Sequence, residues 1–178
     1  MAKNKKPTPT KAPAPVKPGS LEFYFDKYAA VHQNSVNKII QIIAIPLFMF
    51  SVFTLAWCIK FPYIKFLGQY NQDFNWASFL LAFSIYYYMR LSPVLSYFLL
   101  FILLGFFYII TEMAQWQNAG GPYLATIGLG IYCITGIALF IGYKLEGKKL
   151  SFEYRLKNSM IAPLYLLHLM LRRFSIKY

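Results

Sequence analysis

Leu91–Thr111 reads LSPVLSYFLLFILLGFFYIIT, 21 residues without a single charge. As an α-helix this run covers the hydrocarbon core of a bilayer, about 30 Å, and Pro93 lies near its start, where proline is tolerated. A helix in lipid satisfies all its backbone groups internally while the acyl chains cover its side chains. Two more runs share this character. Ile39–Ile59 has 21 residues, interrupted by Gln41 and Pro46, and Gly121–Tyr143 has 23. In the latter, Ala125, Gly128, Gly130, Gly136 and Gly142 are expected to admit a closely packed neighbour. Phe74–Met89 is a shorter candidate of 16 residues, and Ile161–Leu171, with only 11, reads as an interfacial or re-entrant helix. The predicted fold class is all-α: a polytopic membrane protein with spans at about 39–59, 74–89, 91–111 and 121–143. An N-terminal amphipathic helix and the C-terminal apolar segment 161–171 complete it.

Composition supports this reading. Of 178 residues, 58% are hydrophobic and 13% charged, whereas soluble domains carry about a quarter charged residues. The net charge of +12 would suit nucleic acid. The basic residues, however, lie outside the apolar runs rather than sharing a stripe with aromatics, so nucleic acid is excluded as a partner. Cys58 and Cys133 both fall inside apolar runs, which gives neither a disulfide framework nor a cysteine metal site. With four spans and the N-terminus inside, sixteen Lys and Arg fall on the inner side, and only Lys60 and Lys65 on the outer. Both termini are therefore expected to face the cytoplasm, or the matrix of a mitochondrion.

The length suits one domain, preceded by an arm. Residues 1–19 form an arm with five Lys, five Pro and no acid, a composition that forbids a regular helix and reads as solvated chain or as a strap across an anionic surface. Residues 20–178 form a single membrane domain. It opens with an amphipathic helix from Leu21 to His32, capped by Ser20, with Leu21, Phe25, Tyr28 and His32 on one face.

Polar chemistry concentrates at two junctions. His32-Gln33-Asn34-Ser35-Val36-Asn37 links the amphipathic helix to the first span, and Asn34 or Ser35 can cap that span. Two amides and an imidazole at a crowded junction serve either backbone satisfaction or ligand and proton chemistry. Gly142-Tyr143-Lys144-Leu145-Glu146-Gly147-Lys148-Lys149 follows the fourth span on the same side of the membrane. There Glu146 can pair with His32 or with neighbouring lysines, or stand as the lone acid of a basic membrane flank. On the opposite side lie Glu112, Gln115 and the interfacial anchor Trp116. His168, among Leu and Met in the C-terminal segment, reads as a packed side chain.

Together the junctions resemble the 2-hydroxy-fatty-acid dioxygenase family. Its members carry Tyr, then His-x-Asn-x-x-Asn, a second His in an apolar run and a Gly-Ile-Pro-like turn. Near the end comes Gln-Phe-x-Gly-His, followed after a short gap by Glu-Gly-Lys-Lys-Pro. Here the first block is Tyr28, His32, Asn34, Asn37, Gln41, Ile45 and Pro46. The second is Leu139, Phe140, Gly142, Tyr143, Glu146, Gly147, Lys148, Lys149 and Leu150. The resemblance runs from about residue 22 to 170 and implies a small multi-span fold with Fe(II)-dependent oxidation of 2-hydroxy fatty acids in the endoplasmic reticulum. The chain departs where the iron would be held: Gln41 and Tyr143 stand at histidine positions, and Leu139 at the glutamine. Gln is a weak neutral ligand and Tyr favours ferric iron. His32, Asn34, Asn37, Gln41, Tyr143 and Glu146 are therefore read as a vestigial site. His32, His168 and Glu146 remain the only metal candidates, with no spacing to assemble them, and no cofactor is expected.

The function expected from these residues is that of a non-catalytic accessory subunit in a larger membrane complex, its partners being lipids and other membrane subunits. The basic arm has no role inside a four-helix domain, and the chain has almost no soluble mass. The favoured host is an energy-converting complex of the mitochondrial inner membrane. Two alternatives stand beside it: a Fe(II)-dependent dioxygenase of the endoplasmic reticulum with a remodelled site, and a lipid-binding protein using the emptied pocket.

Overall fold

Local sequence signals start and stop most helices. The computed structural model describes residues 19–147 and 152–173, and among these every regular element is helical: α1 (Leu21–Val31), α2 (Ser35–Cys58), α3 (Trp76–Leu91), α4 (Pro93–Asn118), α5 (Leu124–Leu145) and α6 (Phe152–Arg173). The arm up to residue 18, and Lys148, Lys149 and Leu150 of the second motif, lie outside the described residues. Ser20 caps α1 by accepting from Phe23 N–H at 3.3 Å. Asn34 Oδ1 caps α2 through Val36 and Asn37 N–H at 2.9 and 3.2 Å. Asn75 caps α3, and Ser92 caps α4 with Pro93 in the first turn, where its missing N–H leaves no bond unmade. A 3-10 segment, Lys65–Asp73, joins α2 to α3 and breaks at Gly68, whose φ of +50° suits glycine.

Three helices, α2, α4 and α5, are long and apolar enough to cross a membrane, which makes this an integral membrane protein by length and composition. Their bounds differ from the sequence expectation in ways that matter. α2 begins at Ser35 rather than near residue 39 and carries Asn37 in its first turn. α4 runs past Thr111 to Asn118 and takes Glu112, Gln115 and Trp116 into its last turns. The C-terminal segment is corrected most: the expected 11 residues are half of a 22-residue helix, α6, with Pro163 inside it.

The order of ends is legible from contacts. α2 finishes beside the end of α4 and the start of α5, where Trp57, Cys58, Gln117 and Leu124 line one cavity. α3 starts at that same end, since the Trp76 indole N–H donates to the Lys60 carbonyl at 3.3 Å. It finishes at the other end, where the Tyr88 hydroxyl donates to the Met160 carbonyl of α6 at 2.9 Å. At 16 residues α3 is about 24 Å long, below the length of the three long apolar helices.

The core is built on α4. Leu95, Leu99, Leu103 and Ile110 recur at helical spacing and are 0–2% exposed, packed in one cluster with Phe50 and Phe53 of α2, Ala77 and Tyr88 of α3, and Leu164, Leu167 and Leu171 of α6. Outside this seam the polarity inverts relative to a soluble protein: Phe83, Phe101, Ile134 and Ile137 are 60–71% exposed and form an apolar belt.

The most extensive helix pair is α2 with α5. Gly128, Thr135 and Gly142 recur every seven residues on α5 and are buried, the spacing of a left-handed helix seam. A Cβ at Gly128 would stand 3.0 Å from Thr54 Cγ2, and one at Gly142 would collide with Asn37 Oδ1. The expectation that all five small residues admit a neighbour therefore holds at two positions. Gly130 and Gly136 meet nothing within 4 Å, and Ala125 is exposed.

Cys58, at the end of α2, and Cys133, midway along α5, are both exposed on the protein surface. In sealed vesicles a membrane-impermeant maleimide is expected to label Cys58 from one side only and to reach Cys133 only after detergent is added. Labelling of Cys133 from water in intact vesicles would show that α5 does not cross.

Candidate functional site

The start of α2 and the end of α5 meet at one end of the bundle, and the polarity of that meeting is dictated by a single charge. Glu146 follows the last residue of α5, and its carboxylate reaches across to the junction between α1 and α2. It accepts from Gln33 N–H at 3.0 Å, from Asn34 N–H at 3.1 and 3.3 Å, and from Asn37 Nδ2 at 2.6 Å. These backbone donors immediately precede the N-terminus of α2, where the helix dipole also favours an anion. Burial pushes the Glu146 pKa up, but the Asn37 amide, the Gln33 and Asn34 N–H groups and the nearby His32 outweigh it and hold the carboxyl below its ordinary value.

Because a carboxylate can only accept, Asn37 must turn its Nδ2 toward Glu146 and its Oδ1 away. That oxygen receives Gln41 Nε2 at 3.1 Å, one helical turn along α2. Gln41 then presents Oε1 outward, and the Tyr28 hydroxyl of α1 donates to it at 2.6 Å. Four side chains, from α1, α2 and the cap that follows α5, thus form one directional chain, Tyr28 to Gln41 to Asn37 to Glu146, whose bonds polarise one another. Asn37, Gln41 and Tyr28 are 1–4% exposed. Gly142 makes room for the chain, since any side chain there would occupy the place of Asn37 Oδ1.

His32 closes the site from above. It is 2% exposed, its ring stacks on Tyr28 at 4.1 Å and 24°, and the Tyr143 ring lies 5.6 Å away. Nδ1 is 2.9 Å from the Tyr28 carbonyl, so this nitrogen carries the proton. Burial, then the Tyr143 and Tyr165 phenols, push the Tyr28 pKa far above its usual value, so the phenol stays a donor at any physiological pH.

The structure thus gathers all six residues that the sequence singles out: His32, Asn34, Asn37, Gln41, Tyr143 and Glu146. His168 is elsewhere, its ring 4.7 Å from Phe25 and 6.2 Å from Tyr165 on the α6 side. Tyr28 stands among the motif residues but not among the six site residues expected from the sequence, although its place one turn before His32 on the same face is the signal. Tyr165, whose ring is 4.6 Å from that of Tyr28, carries no local signal, because its contact depends on how α6 docks.

The donor set does not fit a ferrous ion. Both Glu146 oxygens are engaged by N–H donors, and Gln41 Oε1 is taken by Tyr28. Among the described residues no three His, Cys, Asp or Glu side chains are grouped to hold a metal. Beside the polar chain, Tyr28, His32 and Gln41 form one wall of a groove of about 240 Å³, which Ile42, Leu166 and Leu169 complete with Lys38. Its size and lining suit a short stretch of acyl chain rather than a polar metabolite. No family model, curated protein or solved structure matches the chain.

Asn37→Asp replaces the donor to Glu146 with a second carboxylate and is expected to destabilise the protein by about 2–4 kcal/mol, measured by denaturant titration in detergent. Gly142→Ala should destabilise through the same contact. With its folded pKa depressed, Glu146 contributes stability fully above the unfolded carboxylate pKa and loses it as pH falls through the folded value. Thermal stability should therefore drop on acidification below the ordinary carboxylate range, and Glu146→Gln should flatten that part of the profile.

Proposed function

We propose that this chain is a non-catalytic structural subunit of a larger membrane assembly, built on a four-span fold like that of the 2-hydroxy-fatty-acid dioxygenase family. One observation carries the reading: Gln41, at a histidine position of the family's iron site, is consumed in the directional chain from Tyr28 to Glu146, and His32 Nδ1 is bonded to the Tyr28 carbonyl. A catalytic centre needs groups that change partners during turnover. Here each polar atom of the chain is satisfied by another part of the fold, in an arrangement suited to fixing α1, α2 and α5 together.

Four spans are supported by the direction of the chain. The start of α2 and the end of α5 share one end through Glu146, so an even number of crossings separates them. With α2, α4 and α5 as the long spans, α3 supplies the fourth. The termini then share the basic side of the membrane. The exposed apolar belt and the basic Pro-rich arm supply what a subunit needs, one for helix neighbours and one for an acidic partner or lipid surface. We take the host to be an energy-converting complex of the mitochondrial inner membrane, with the basic side toward the matrix.

Mild extraction from native membranes followed by native electrophoresis tests this. The chain is expected in a band far above its own 20.7 kDa. Migration as a lone subunit would remove the assembly reading. Purified protein loaded anaerobically with ferrous iron should retain none and consume no oxygen with a 2-hydroxy fatty acid. Stoichiometric iron with turnover would establish the enzymatic alternative instead.

A further inference from the structure

A second cavity, of about 420 Å³, opens where α1 and α6 meet the end of α3. Phe23, Tyr24 and Lys27 of α1, Tyr87 of α3, and Lys157 and Asn158 of α6 line it. Among the described residues the lining holds two ammonium groups and no carboxylate. Glu22 and Asp26, adjacent in sequence to Phe23 and Lys27, are turned about 100° round α1 and are not part of the wall. Lys27 Nζ is held 4.3 Å over the Phe23 ring, a contact that positions the charge without neutralising it.

The observation that points to a ligand is Asn158. It is only 7% exposed, yet its Nδ2 has no acceptor among the described residues. A buried amide donor without an acceptor is strongly unfavourable and rarely retained without a reason. The helix around it is well held, with Ile161 and Leu164 in the core and the Met160 carbonyl bonded to Tyr88, so the orphan does not reflect a loose segment. The broad terminal torsion of an asparagine lets the amide turn into the cavity with little strain. Two lysines and an amide N–H without an acceptor in one lining call for a compact, negatively charged hydrogen-bond acceptor.

We propose that this cavity binds a phosphate group, carried either by a phospholipid headgroup or by free phosphate. A phosphate offers several oxygens in one small volume, which serves several donors better than a single carboxylate does. The site lies on the side of the bundle where α2 begins its apolar surface at Val36 and Ile39, 54% and 61% exposed, which is headgroup level for a bilayer. This inference is independent of the subunit reading.

The full-length protein in neutral detergent is offered phosphatidic acid, diacylglycerol or inorganic phosphate, and binding is read by native mass spectrometry and thermal shift. Phosphatidic acid and diacylglycerol differ only in the phosphate. Retention of the first but not the second, with no shift from inorganic phosphate, identifies a lipid headgroup; a shift from inorganic phosphate that also displaces phosphatidic acid identifies free phosphate. Lys27→Gln and Lys157→Gln should each weaken binding about fivefold, whereas Lys65→Gln, in the segment joining α2 to α3, should not. Asn158→Leu should abolish selective binding without lowering the melting temperature, because it removes an unsatisfied donor. Equal retention of phosphatidic acid and diacylglycerol, or an equal effect of all three lysine variants, would overturn the proposal. Should Asn158→Leu fail to fold, the exposed Lys157→Gln decides alone.

Discussion

The negative charge of Glu146 sets the orientation of everything around it. A carboxylate accepts and cannot donate, and this one constraint propagates through two amides to a phenol on another helix. Neither Asn37 nor Gln41 can be flipped without placing donor against donor or acceptor against acceptor. In water such amides would exchange partners freely. At the rim of an apolar bundle, where few competing partners exist, the alternative to each bond is an unsatisfied group. Specificity therefore comes from the scarcity of partners as much as from the strength of any one bond.

This arrangement explains the close seam between α2 and α5. Glycine at 142 lets Asn37 sit against the α5 backbone, glycine at 128 admits Thr54, and Thr135 lies between them at the same seven-residue spacing. Small residues and a polar side chain replace the large apolar interlocking of a soluble core, as expected where lipid is already as apolar as any side chain. The large aromatics instead fill the seam around α4 or face outward, where Phe101 and Phe83 are 71% and 69% exposed.

Much of this was legible in the sequence. The three long helices are visible as uncharged runs, and Asn34 as a cap needs only its place before the first span. The six site residues were legible as two polar islands that a four-span topology puts on one side. Three features were not. α6 is hidden because residues 153–158 carry Glu153, Arg155 and Lys157, so hydropathy sees only its apolar second half. The role of Gly142, as against the idle Gly130 and Gly136, depends on which face of α5 meets α2, and five small residues in one helix do not reveal it. Tyr165 meets Tyr28 only because α6 folds back over α1, a contact between distant segments that no local pattern encodes.

The hydrogen bonds of Glu146 span 109 to 113 residues of sequence. During synthesis at about 5–20 residues per second, Asn37 and Gln41 therefore wait several seconds for the carboxylate that orients them. Throughout that interval the first long helix carries a polar face without its terminal partner, and α5 is the last of the long helices to arrive. A chain that ends before Glu146 lacks the carboxylate that orients Asn37. The polar chain therefore closes only once the end of α5 is in place, as the last link in a network begun more than a hundred residues earlier.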